Sequence, residues 1–95
     1  MQILKVVVSD HWFDEIKSGR KKHEYRKATP FWDKRIKNAF KDWTKPAFIE
    51  FQRAYRKNPE RMTFRVLFVV QTYGDMTDLE CPEIVFDIKL GERVK

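Results

Sequence analysis

The chain has 95 residues, 42% of them apolar and 15% aromatic, with a net charge of +6. That length predicts one domain over residues 1–95 with a modest core, and the aromatic content excludes disorder over most of it. No apolar stretch approaches the roughly 20 residues of a membrane helix, the opening "MQILKVVVSD" lacks the marks of a signal peptide, and Cys81, the single cysteine, forms no intramolecular disulfide, which fits a reducing cytoplasm.

Residues 3–8, "ILKVVV", form a β-branched run read as a strand. The next segment, "SDHWFDEIKSG", is punctuated as a short helix. Ser9 or Asp10 can cap it, Asp14 and Glu15 lie early, Lys17 lies late, and Gly19 can end it in the left-handed conformation. Trp12, Phe13 and Ile16 are expected on its core face. Residues 22–26, "KHEYR", alternate as a strand, with His23 and Tyr25 on one side and Lys22, Glu24 and Arg26 on the other. Thr29 and Pro30 then start a second helix, whose apolar stripe is Trp32, Ile36, Ala39, Phe40 and Trp43. At that spacing the three tryptophans read as packing residues, and Lys34, Lys37 and Lys41 face away from the stripe.

The remainder reads as β. Residues 47–55 and 61–73 are strands joined by the turn "RKNPE". Period-two alternation predicts a core face of Met62, Phe64, Val66, Phe68 and Val70 on the second of them. Residues 74–82 are a loop, and residues 83–90 a last strand with Ile84, Phe86, Ile88 and Leu90 inward. The order β-α-β-α-β-β-β places about five strands and two short helices in an α+β fold. So many strands on so short a chain close most economically into a small barrel; a sheet covered by the helices on one face is the alternative.

The charge is uneven. Residues 17–41 hold ten Lys and Arg against Glu24 and Asp33, which makes that segment +8 and the rest −2. This fits a polyanion partner, and equally a solvated basic face. His11, His23 and Cys81 are scattered, so no metal site is expected. Three glycines cannot build a phosphate loop, and no cofactor is implied. Cys81 lies among Asp78, Glu80 and Glu83, which disfavour a catalytic thiolate. Chemistry is left to Lys21, Glu24 and Arg26. Glu24 could hold the Arg26 guanidinium in one pose, and Lys21 could bind an anion or act as a base. The same spacing also fits a structural ion pair on an exposed strand, worth little. Tyr25 or another aromatic beside these cations could stack on an unpaired base.

The stretch "FDEIKSGRKKHEYR" resembles the signature of ASCH domains, compact β-barrels similar to PUA domains. In that family a helix ending Ile-x-x-Gly-x-Lys leads into a Thr-x-Glu-x-Arg strand. Ile16, Gly19, Lys21, Glu24 and Arg26 stand at those places, with Lys22 where many relatives have Thr. The continuation "TPFWDKRI" resembles a subgroup with a Thr-Pro-Tyr-Trp helix start and a following Arg. Thr29, Pro30, Trp32 and Arg35 match, and Phe31 replaces Tyr. The match is strongest over residues 13–36.

The resemblance implies a small PUA-like β-barrel and an RNA- or nucleotide-binding module with a basic cleft; a monomer or weak dimer away from membranes is expected beside it. Lys21, Lys22 and Arg35 would hold phosphate, and Glu24, Arg26 and Tyr25 or Trp32 would contact a base. It also implies an alternative, a small ribonuclease-like or N4-acetylcytidine amidohydrolase-like enzyme, with Lys21 and Glu24 as catalytic acid and base. The deacetylating branch uses a Lys, a Thr and a Glu. Lys21 corresponds to the Lys, Glu24 stands at the Thr position, and Glu80 lies in the loop of the downstream Glu. A protein-interaction domain with a basic face toward an acidic partner is the third possibility.

Overall fold

The computed structural model describes residues 2–95. Strand β1 (Gln2–Val8) buries Leu4, Val6 and Val8 at period two. Helix α1 (Asp10–Lys17) starts at Ser9, whose hydroxyl accepts from the Trp12 N–H. It ends where Gly19 turns to φ +83°. Strand β2 (His23–Lys27) follows, and then helix α2 (Pro30–Ala39), capped by the Thr29 hydroxyl with Pro30 in its first turn. Strands β3 (Ala47–Arg53), β4 (Arg61–Tyr73) and β5 (Ile84–Arg93) complete the order.

The five strands form one mixed sheet in the order β1-β3-β4-β5-β2, curled into a half-barrel. Strand β1 runs parallel to β3, and the remaining neighbours are antiparallel. The fold is therefore a small, barrel-like α+β architecture. The sheet does not close, because β1 and β2 are its two edges. One core joins the sheet to both helices: Phe13 and Ile16 of α1 and Ile36 of α2 pack with Ile49, Phe51, Met62 and Ile88. Phe51 and Phe64 meet edge to face at 5.9 Å.

Three packing expectations are corrected. Strand β4 shifts register between Phe64 and Val66 and again between Val66 and Phe68. A bulge reverses the inward–outward alternation. Phe68 and Val70 are consequently exposed, and Val69 packs on the core instead. On β5, Ile84 is exposed while its neighbour Val85 is buried outside the main core cluster. On α1 only Phe13 and Ile16 are buried. Trp12 lies at the flank of that narrow stripe, because successive helical residues diverge by about 100°. None of the three tryptophans is fully buried.

Arg53 fastens α1 to the sheet. Its guanidinium binds Asp14 at 2.5 Å, Asp10 at 3.3 Å and Glu60 at 3.3 Å, and lies 4.4 Å from the centre of the Phe13 ring. The hydrogen bond from Arg53 holds the Asp14 carboxyl below its ordinary pKa. Lys17, 2.6 Å from Glu60, does the same for that carboxyl. The Arg53 contacts hold the first turns of α1, and Lys17–Glu60 holds the end from which Lys21 emerges.

Candidate nucleic-acid interface

The gap between edge strands β1 and β2 holds the site. Period two puts Glu24 and Arg26 on the inner face of β2, beside that gap. Glu24 is only 4% exposed, so the pair is not the solvated one its spacing alone allowed. One Glu24 oxygen accepts from Arg26 Nη2 at 2.8 Å, and the other accepts from the Tyr25 N–H at 3.3 Å. Arg26 Nη2 also reaches across the gap to the Val7 carbonyl at 3.4 Å. Its Nε is buried without an acceptor.

Lys21 enters from the α1–β2 turn, where its N–H donates to the Glu15 carbonyl at 3.0 Å. Its ammonium lies 3.9 Å from Glu24 Oε1 and is ion-paired with Asp78. It also sits 4.4 Å from the Trp12 ring centre and 5.3 Å from that of Tyr25. Trp12, lost from the core stripe, thus serves as a wall of this cation's seat. Tyr25 stacks on His23 at 5.8 Å, and burial, followed by the negative charges of Asp87 and Asp78, raises its phenol pKa.

Asp78 comes from the β4–β5 connection, 57 residues away in sequence. That connection is tightly folded. A Cβ on Gly74 would stand 2.4 Å from Cys81 Sγ and 2.6 Å from the Cys81 carbonyl oxygen, and the Gly74 N–H donates to the Glu83 carbonyl at 2.8 Å. Thr77 Oγ1 donates to the Gly74 carbonyl and accepts from the Leu79 N–H. This places Asp78 and Leu79 against the gap. Glu80 is exposed and lines neither cavity described below. Cys81 is buried, and its hydrogen bond to Glu83, together with burial, pushes the thiol pKa up.

Two adjoining cavities open here. The smaller, about 380 Å³, is walled by Trp12, Lys21, Glu24, Tyr25, Arg26 and Asp78. Its two cations face two carboxylates, so it is electrically balanced. The larger, about 710 Å³, shares Val7 and Arg26 with it and extends along β1 to α2. Its cations are Lys5, Arg26, Arg35 and Arg61, against Glu50 alone. Arg35 donates to the Lys5 carbonyl at 2.8 Å. The guanidiniums of Arg26 and Arg35 lie over the Trp32 ring at 4.7 and 4.9 Å.

Of the residues singled out from sequence, Lys21, Glu24, Tyr25 and Arg26 converge on the smaller cavity, while Trp32 and Arg35 line the larger with Arg26. Lys22 is exposed and lines neither, but it borders a third, more open hollow of about 380 Å³ shared with Trp12, Lys21, Tyr25 and Asp78. Sequence reasoning missed Trp12 as a wall residue, along with Asp78, Tyr55 and Arg61. Trp12 had a signal, since it flanks the helical stripe and sits beside a basic turn. The other three had none, because only the sheet topology brings them in. Among the described residues, no three His, Cys, Asp or Glu side chains gather as metal ligands, and no helix is long and apolar enough to cross a membrane.

Fold and site together define a small barrel-like α+β protein with a cation- and aromatic-lined cleft at the open seam of its sheet. Neither known family models nor curated proteins gave a match to this chain.

Proposed function

We propose that the chain is an ASCH-like module that binds RNA or a nucleotide in the cleft between β1 and β2. The observation that carries this reading is the balanced smaller cavity lying beside a strongly basic one, with Val7 and Arg26 in the walls of both. A base is neutral and flat, with donors and acceptors on its edge. It suits a pocket with aromatic walls and the fixed polar groups of Glu24, Arg26 and Lys21. Phosphate suits the adjoining cations, with Arg35 foremost. Among the described residues Arg35 has no carboxylate partner, and its guanidinium keeps N–H donors beyond the one given to Lys5.

Binding is favoured over catalysis by the state of Glu24. Both its oxygens are engaged by Arg26 and by the Tyr25 N–H. A carboxylate tied in this way is suited to positioning rather than to proton transfer.

The test is fluorescence polarisation with labelled single-stranded RNA across a salt series. Affinity falls with salt, with a log–log slope of about −0.7 per phosphate contacted. Arg35→Gln weakens binding and makes the slope shallower. Lys37→Ala, which removes an exposed cation paired with Asp33 at 3.1 Å, has little effect. Salt-independent binding, or equal losses in both variants, would sink the cleft assignment.

A further inference from the structure

We propose that the larger cavity is a second nucleotide subsite, so that the ligand is a single-stranded RNA segment of at least two nucleotides crossing Arg26. This rests on the RNA reading above and extends it to Tyr55 and Arg61, which no motif marks, and to Phe31 at the Tyr position of the helix-start motif.

Three observations carry it. The two cavities adjoin along the β1 edge, with Val7 and Arg26 in the walls of both. The larger cavity, at about 710 Å³, has room for a second nucleotide. Its aromatic rings are of two kinds. Trp32 is covered by the guanidiniums of Arg26 and Arg35, so its ring is already stacked. Phe31, 61% exposed, meets Trp32 edge-on at 5.2 Å and has the Arg35 guanidinium over its ring at 5.4 Å, whereas Tyr55, on the same cavity, is 88% exposed and stacks on no other described ring or cation. A large ring held that open on a cavity wall is a platform for a flat partner, and base stacking is indifferent to base identity.

The electrostatics agree. Glu50 lies 3.9 Å from Lys5 and 4.0 Å from Arg61, so one carboxylate is shared loosely between two cations. Arg35 adds a third cation with no carboxylate partner among the described residues. The positive excess therefore lies in the larger cavity, beyond Arg26, where a backbone leaving the balanced cavity would run. Tyr55 sits on the β3–β4 turn, next to Ala54 in the left-handed conformation at φ 52°. That kink ends β3 before the exposed ring.

The experiment compares ribonucleoside monophosphates, 5′-phosphorylated ribodinucleotides and an eight-nucleotide single strand by competition against a labelled strand. The best dinucleotide is expected to bind at least about tenfold more tightly than the best mononucleotide, from one added stack and one added phosphate. Tyr55→Ala alters a nearly fully exposed side chain and leaves the fold intact. It should lower dinucleotide affinity at least about fivefold and leave mononucleotide affinity unchanged. Arg61→Gln should lower dinucleotide affinity and flatten its salt dependence. Mononucleotides binding as tightly as dinucleotides, or a silent Tyr55→Ala, would overturn the second subsite while the nucleotide reading stands. No binding of any probe would overturn both.

Discussion

Glu24 and Arg26 are joined at 2.8 Å on the inner face of an edge strand, and the same guanidinium reaches Val7 on the opposite edge. The pair therefore spans the open seam of the half-barrel. Edge strands expose unpaired backbone groups that invite association. Here Arg26 and Arg35 donate to the Val7 and Lys5 carbonyls of β1, and the site is built from the groups that cover that edge.

Removing Glu24 leaves Arg26 with the Val7 carbonyl and a buried Nε that already lacks an acceptor. Glu24→Ala is expected to destabilise by about 3 kcal/mol, the low end for breaking a buried pair, because Arg26 keeps some solvent contact. At this chain length that lowers Tm by roughly 10–20 °C. Glu24→Gln keeps an acceptor and should cost clearly less. Thermal melts followed by circular dichroism decide it. Wild-type melting of the alanine variant would mean the pair holds nothing together.

Arg53 gives the fold an acid-sensitive clasp. Its hydrogen bond lowers the Asp14 pKa in the folded state. A lowered folded value means the contribution is fully present above the unfolded carboxylate pKa, and is lost as pH falls through the folded value. Glu60, lowered by Lys17 and Arg53, behaves in the same sense. Arg53→Gln should therefore be less stable than wild type at neutral pH, and the gap should narrow below about pH 4 as these carboxylates protonate. Urea titrations at several pH values measure the gap. A gap constant with pH would assign the role of Arg53 to packing on Phe13 alone.

Much of this was legible in the sequence, where local chemistry settles the matter. The caps at Ser9 and Thr29, the stop at Gly19 and the shared face of Glu24 and Arg26 all follow from spacing within a few residues. What was hidden depends on distance or on irregularity. Helical periodicity cannot separate Trp12 from Phe13 at the flank of a narrow stripe. Nothing in the alternation of β4 announces the bulge that exposes Phe68 and Val70. The meeting of Lys21 with Asp78, and of Arg26 with Val7, is a product of strand order, which no local pattern encodes.

Gly74 and Gly19 should respond differently to alanine. A Cβ at Gly74 meets Cys81 Sγ and two backbone carbonyl oxygens inside 3.0 Å, and backbone cannot step aside cheaply. Gly74→Ala should cost about 1–3 kcal/mol and loosen the connection that carries Asp78. Gly19→Ala meets no atoms and carries only the left-handed backbone cost, about 1–2 kcal/mol. Hydrogen exchange across residues 74–83 separates them. Faster exchange there is expected in the Gly74 variant only.

Cys81 should be nearly inert in the folded protein. Its hydrogen bond to Glu83 raises the thiol pKa, and burial adds to the effect. Both reduce the thiolate that reacts. Alkylation at pH 8 should be at least about tenfold slower than in urea. Gly74→Ala, by forcing the loop away from the sulfur, should narrow that ratio. Folded and unfolded rates that coincide would place the thiol in solvent.

Asp78 occupies Lys21 in the free protein, and this sets the charge of the smaller cavity. Asp78→Asn removes one of the two carboxylates and releases a cation whose side chain is only 10% exposed. On the RNA reading, that cation becomes available to a phosphate. Affinity for single-stranded RNA should rise at low salt, and the log–log salt slope should steepen by about 0.7, one phosphate contact. Asp75→Asn, on the same connection but outside both cavities, controls for the change in net charge. If the two variants shift the slope equally, Lys21 contributes only to the general field and the seat beside Trp12 takes no phosphate. If only Asp78→Asn shifts it, Asp78 is what keeps phosphate off Lys21 in the wild type and leaves the smaller cavity to a base.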